Sequence, residues 1–231
     1  MPLTRRDALF ASTGLLLAHG APAHAGQAAP KTVDARPLPL PFNPARLPGL
    51  SEKLLVSHHE NNYAGAWKNL VKTREALAQL PKDAAGPLVA GLRERELTFG
   101  NSVVLHELYF GNLGGDGKSA GAVAKALADG IPRFEEQFRA LAGSLGGGSG
   151  WAILDFCLQT HDLHISWAGH HTQTRAFAAP LLVLDRYEHS YHLDYGAAAA
   201  RYVDAFFQNV HWDEVNRRYE RALKADVLFR T

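Results

Sequence analysis

Cysteine is nearly absent: Cys157 is the only one in 231 residues. A single thiol builds no disulfide scaffold and no thiolate cage for a soft metal. A charge excess is lacking too. Lys and Arg number 24 against 23 Asp and Glu, so no electrostatic footprint of a nucleic-acid binder is present. No apolar run reaches the roughly 20 residues that a stable membrane span needs. There is no internal repeat, and the 46% hydrophobic content excludes a disordered chain. What is abundant is histidine, with 12 residues. Many imidazoles, one thiol and a near-neutral balance point to a metal site built from nitrogen and oxygen ligands.

Residues 1–25 read as an address. Arg5 and Arg6 give a basic start, Ala8 to Ala18 is a short and mostly apolar run, and Ala23-His24-Ala25 fits a small-residue cleavage site. Thr4-Arg5-Arg6 followed by Phe10 resembles a twin-arginine signal, a route that exports folded proteins. The expectation is export to a bacterial periplasm with cleavage near Ala25. The remaining 206 residues then carry 22 basic and 22 acidic side chains and 10 His.

Gly26 to Pro48, rich in Pro, Ala and Gly, reads as an extended arm. Ser51 caps a helix that runs to about Leu80, where Pro81 stops it; Leu54, Leu55, His58, Asn62, Gly65 and Asn69 fall on one face. A second helix runs from about Ala85 to Leu113, with Leu88, Leu92, Phe99, Val103, His106, Phe110 and Leu113 on its apolar face. Two long helices joined by a short turn form a hairpin, and the periodicity buries both His58 and His106. After the turn-rich Gly111 to Gly117, helical texture returns over Ser119 to Leu145 and is broken at Ile131-Pro132. Three strand-like runs follow, Trp151 to Leu158, Leu163 to Trp167 and Pro180 to Leu184. Helix returns over about Ala197 to Phe207 and Trp212 to Leu228. The fold class expected is α+β: an N-terminal antiparallel helical hairpin, then a C-terminal α/β domain with a small three-stranded antiparallel sheet. The expected divisions are 1–25 for the signal peptide, 26–118 for the arm and hairpin, and 119–231 for the C-terminal domain.

Asp185 and His189, four residues apart just after the last strand-like run, can reach one ion from a turn or a helix face. With His58 and His106 they make a possible set of three imidazoles and one carboxylate, suited to Fe, Mn, Co or Zn. The joint pattern resembles the iron/manganese superoxide dismutase family over nearly the whole chain after the leader. Leu38-Pro-Leu-Pro-Phe42 resembles the family's N-terminal arm. His58-His59 with Asn69, and His106-Glu-Leu-Tyr-Phe110, match its helical ligand regions. Gly148-Ser-Gly-Trp151 matches the loop before the first strand, and Asp185-Arg-Tyr-Glu-His189-Ser-Tyr191 matches the signature D-x-W-E-H-x-Y with Tyr for Trp. Asn209-Val-His-Trp212 and Tyr219 resemble its last helix.

The resemblance implies one Fe or Mn ion per chain on His58, His106, Asp185 and His189, with solvent as a further ligand. It implies superoxide as substrate, and a homodimer or dimer of dimers in which Glu188 bonds the partner subunit's His189. Trp151 and Tyr187 would wall the pocket, and Tyr191 belongs to the same surroundings. The sequence also departs from the family. Its usual glutamine is missing: His171 stands in one of the two places, with His170 beside it, and Ser102 in the other. His171 is expected to replace the glutamine, with His170 as the fallback, and to make the site sensitive to pH. The gateway tyrosine falls at Ala66 and the histidine pair before it at Asn62 and Tyr63, so Tyr63 is expected to supply part of the gate. The funnel arginine falls within the alanine run Gly196 to Ala200, with Arg186 and Arg201 nearby in sequence. The leading expectation is a secreted dismutase. The alternatives are an exported metal-binding homologue with little or no such activity, loaded for instance with Zn, and an oxygenase- or peroxidase-like enzyme on the same scaffold.

Overall fold

Ser51 starts the first helix as its sequence suggests, its hydroxyl accepting the Leu54 amide at 3.0 Å. The computed structural model describes residues 37–145, 147 and 149–229; the expected signal peptide and the start of the arm lie outside them. Helix α1 (Glu52–Ser57) passes into a π-helical turn, His58–Tyr63, and then into α2 (Ala64–Ala78). The π turn inserts an extra residue into the helical repeat. The buried stripe therefore runs Leu54, Leu55, His58 and then Tyr63, Ala66, Leu70 and Thr73. A regular helix would have continued it through Asn62, Gly65 and Asn69. His58 keeps its expected place, and Asn69 ends up exposed.

Helix α3 (Gly86–Gly111) returns along α2 and completes the hairpin. Its buried residues are Ser102, Val103, Leu105, His106, Tyr109 and Phe110, all in its second half. Leu88, expected on the apolar face, is exposed, because the first turns of α3 extend past the elements that cover the rest. Helices α4 (Gly121–Gly130) and α5 (Phe134–Ser144) follow, separated at Ile131-Pro132.

The sheet has the order β2-β1-β3, every pair antiparallel, with β1 at Trp151–Cys157, β2 at Asp162–Ala168 and β3 at Ala178–Asp185. All seven residues of central β1 are buried, so it reads as a continuous apolar run broken only by Asp155. Gly150 admits the chain to β1 at φ +129, and a Cβ there would lie 2.9 Å from both the Ala168 carbonyl oxygen and Leu145 Cδ2. Glycine is what lets Trp151 enter the core at that point. Beyond the sheet lie a 3-10 turn (Glu188–Ser190), α6 (His192–Tyr195), α7 (Ala199–Gln208) and α8 (Trp212–Phe229). The fold is the expected α+β arrangement. The core is shared by the second half of α3, the sheet, α5 and α7. No helix among the described residues is long and apolar enough to cross a membrane.

Candidate metal centre

Four side chains meet where the hairpin faces the end of the sheet. His58 comes from the π turn and His106 from the last turns of α3. Asp185 is the last residue of β3, and His189 sits in the 3-10 turn just after it. One ligand atom from each lies within 4.8 Å of all the others. Asp185 Oδ2 is the hub, with the Nε2 atoms of His58, His189 and His106 at 3.1, 3.2 and 3.6 Å.

His106 shows what the cluster is built for. Its Nδ1 donates to the Ser102 carbonyl at 2.7 Å. Burial, then the neighbouring His58, lowers its pKa to about 3, so the ring is neutral and Nε2 keeps a lone pair. That nitrogen is buried without a hydrogen-bond partner. A lone pair facing a carboxylate oxygen is repulsive unless a cation lies between them, and with a cation both become ligands. Burial lowers the His58 pKa as well. At Asp185 burial alone would push the carboxyl up, but the charge and hydrogen bond of His189 and the hydrogen bond of His58 hold it below the usual carboxylate range. The residues fit a hard or borderline cation such as Fe, Mn, Co or Zn. Asp185 is braced from behind: Oδ1 accepts the Tyr187 amide at 2.8 Å, and its carbonyl accepts the Tyr202 hydroxyl at 2.8 Å.

Trp151 and His171 close one side. The indole packs edge-on against His106 at 5.2 Å, and its N–H donates to His171 Nδ1 at 3.0 Å. Because an indole only donates, His171 must accept there, and its proton resides on Nε2. The ring stacks on Tyr187 at 4.9 Å, and Asn101 Nδ2 donates to the His171 carbonyl at 2.7 Å. Burial lowers the His171 pKa to about 4, so the pH sensitivity expected of this imidazole falls well below neutrality. Of the histidine pair, His171 packs among these aromatic rings; His170 is exposed, with Nδ1 3.2 Å from the Thr172 hydroxyl.

Above His106 and His189 opens a cavity of about 370 Å³. Its walls include Asn61, Asn62, Gly65, Ala66, Asn69 and both His170 and His171, and no Lys or Arg lines it. Tyr63 does not line it either, which corrects its expected role in the gate. The extra residue of the π turn carries Tyr63 to the other side, where its hydroxyl donates to Glu107 Oε1 and accepts the Leu38 amide, both at 2.8 Å. Tyr63 thus pins the arm. Arg186 is buried, donates through Nε to the Ala142 carbonyl at 2.8 Å and lies over the Tyr191 ring. Arg201 lies over Tyr195. Neither reaches the cavity. Tyr191 is itself buried and stacked on Tyr202, whereas Glu188 is exposed.

A cation does stand on the approach. Arg95, Phe99, Ser102 and His106 are spaced by four, three and four residues along one face of α3. Arg95 lines an adjoining cleft that shares Thr98, Phe99 and His170 with the cavity. Sequence reasoning missed Arg95, and it missed Ser102 and Asn101 as supports. The Ser102 contact uses a backbone carbonyl, which leaves no trace in residue type. The helical spacing of Arg95 from His106 was a usable signal.

The family model described as iron/manganese superoxide dismutases, C-terminal domain, matches residues 118–218. A protein named superoxide dismutase [Fe] from Cupriavidus metallidurans is 46% identical over 191 residues, covering 80% of this chain and 96% of that protein. One of the same name from Aquifex pyrophilus is 34% identical over 193 residues, covering 80% and 91%. Superoxide dismutase [Mn] 2 from Haloferax volcanii is 34% identical over 194 residues, covering 80% and 96%.

Proposed function

The chain belongs to the iron/manganese superoxide dismutase family, and on that premise we propose that it converts two superoxide ions and two protons to dioxygen and hydrogen peroxide at one Fe or Mn ion. His58, His106, Asp185 and His189 would hold the ion, which supplies one-electron oxidation and reduction in alternation. The observation that carries this reading is the bare, buried Nε2 of His106 facing the Asp185 carboxylate.

The chain's own residues set the conditions for that chemistry. Asp185 contributes the negative charge that favours the more oxidised ion. Trp151 and Tyr187 keep water from one side. His171 holds a proton on Nε2 at the cavity and stays neutral near pH 7, since its pKa is lowered to about 4. It takes the place of the glutamine donor. The uncharged mouth leaves attraction of the anion to Arg95, partly offset by Glu94 beside it in the same cleft. Export through the leader to the periplasm, cleavage near Ala25 and pairing of subunits through Glu188 belong to the same reading. Glu188 is exposed beside His189, which suits a hydrogen bond from one subunit to the other. The alternative of a metal-binding homologue without dismutase activity gains no support, since each relative quoted is named a superoxide dismutase.

The test is metal content and superoxide decay on one purified, processed sample. Iron or manganese at about one ion per chain with rapid decay is the expected result. Zinc, or iron without decay, overturns the reading.

A further inference from the structure

Asp155 is an acid in the middle of a buried strand. It is 2% exposed, and an unpaired carboxylate in such a place is costly. Its partners lie in the β2 strand and in the loop after it. Ser166 donates to Oδ2. Arg175 Nε lies 3.1 Å from Oδ1 and 3.2 Å from the Ser166 hydroxyl. Arg175 belongs to the segment 169–177 that joins β2 to β3, four residues after His171.

The same segment is held at His171 by Trp151, through the ring, and by Asn101, through the carbonyl. Trp151 and Asp155 stand four residues apart on β1 and so face the same side of the strand. The loop is therefore fastened at two points to one rigid, wholly buried strand. The carboxylate is buried while its Arg175 partner is exposed. An ion pair open to solvent on one side adds little stability, and the best-attested use of such a polar contact is to fix one arrangement among several. We infer that the Asp155–Arg175 pair is a latch that positions His171, holding its Nε2–H at the cavity while the pair itself touches none of the reacting groups. The inference rests on the role given to His171 in the proposed dismutation, but the latch itself is a statement about the loop.

The full processed chain tests it with Asp155→Asn, Arg175→Gln and the apolar replacement Asp155→Leu/Arg175→Leu. Arg139→Gln, which breaks a surface ion pair with Glu135 and Asp204, serves as a purely structural control. Hydrogen exchange on the metal-free protein reads the loop directly. Amides of 170–177 should exchange about tenfold faster in the single variants while the other β1 amides do not change. In the metal-loaded protein, kcat should fall about fivefold at unchanged metal content, because a displaced donor costs rate rather than binding. The Leu/Leu variant should recover thermal stability without recovering kcat, which a merely structural pair would not do. The Arg139→Gln control should lower stability alone. Unchanged loop exchange in Arg175→Gln, which alters only the outer partner and keeps the fold testable, overturns the latch. So does a Leu/Leu variant with full kcat. If loop exchange rises but no form of the protein consumes superoxide, the latch stands and the dismutase reading fails.

Discussion

The floor and the mouth of the centre are built differently. On the floor two of the four clustered side chains are fixed by second contacts: His106 by the Ser102 carbonyl, Asp185 by the Tyr187 amide and the Tyr202 hydroxyl. The mouth is a ring of small, uncharged side chains, Asn61, Asn62, Gly65, Ala66 and Asn69. Buried donors that bind a cation admit few substitutes, since each loses charge or a lone pair where water cannot replace it. A solvated mouth tolerates exchange, because what it contributes is access and a weak field. The largest expected effect follows from the floor. Asp185→Ala or His106→Ala should reduce bound metal from about one ion per chain toward zero, measured by elemental analysis. Retained stoichiometry would show that the donor set has been misassigned.

His171 lies between the two regions. His171→Ala should lower turnover by about 10- to 100-fold with metal retained, the range found when a group around a metal's ligands is removed. The shape of the pH profile sharpens the point. Because the folded-state pKa of His171 is depressed to about 4, the ring is neutral above that value and charges only as pH falls toward it. His171→Gln should therefore leave the profile unchanged in shape from neutrality upward. A profile that moves near pH 7 would assign a titrating role to the ring that its burial does not support.

This contrast also marks what the sequence made legible. The four residues that cluster, the hairpin and all three strands could be read, because periodicity and a dense motif act locally. Tyr63 could not be placed. Its neighbours keep a helical pattern, and only packing reveals that the turn at His58–Tyr63 is π-helical and carries the hydroxyl to Glu107. Asp155 was equally silent: an acid in a strand-like run gives no hint of an Arg175 twenty residues later. Leu88 shows the reverse error, since periodicity reports a face but not how far its cover extends.

The rim of the floor yields a smaller effect. Glu188 is exposed in a turn whose other members are tied down, which suits a contact made outside the protomer. Glu188→Ala should weaken self-association by about tenfold, followed by sedimentation, and it should lower activity in proportion to the dissociated fraction. An unchanged sedimentation profile removes Glu188 from the interface.

The smallest effect belongs to the mouth and decides whether it steers at all. Arg95 precedes His106 by 11 positions on one face of α3, or about 16 Å at a rise of about 1.5 Å per residue. Over such a distance in water a single charge changes an association rate by only about 1.5-fold. Salt at physiological strength screens most of that, since the Debye length is about 8 Å. Arg95→Gln should therefore lower kcat/KM slightly at low ionic strength and have almost no effect at high salt. Glu94→Gln, in the same cleft, should act with the opposite sign. Opposed shifts that vanish together with added salt identify a field. Equal shifts, or shifts that persist in salt, mean that the two residues act on the cleft's shape, and the attraction of the anion must then come from the charge of the centre itself.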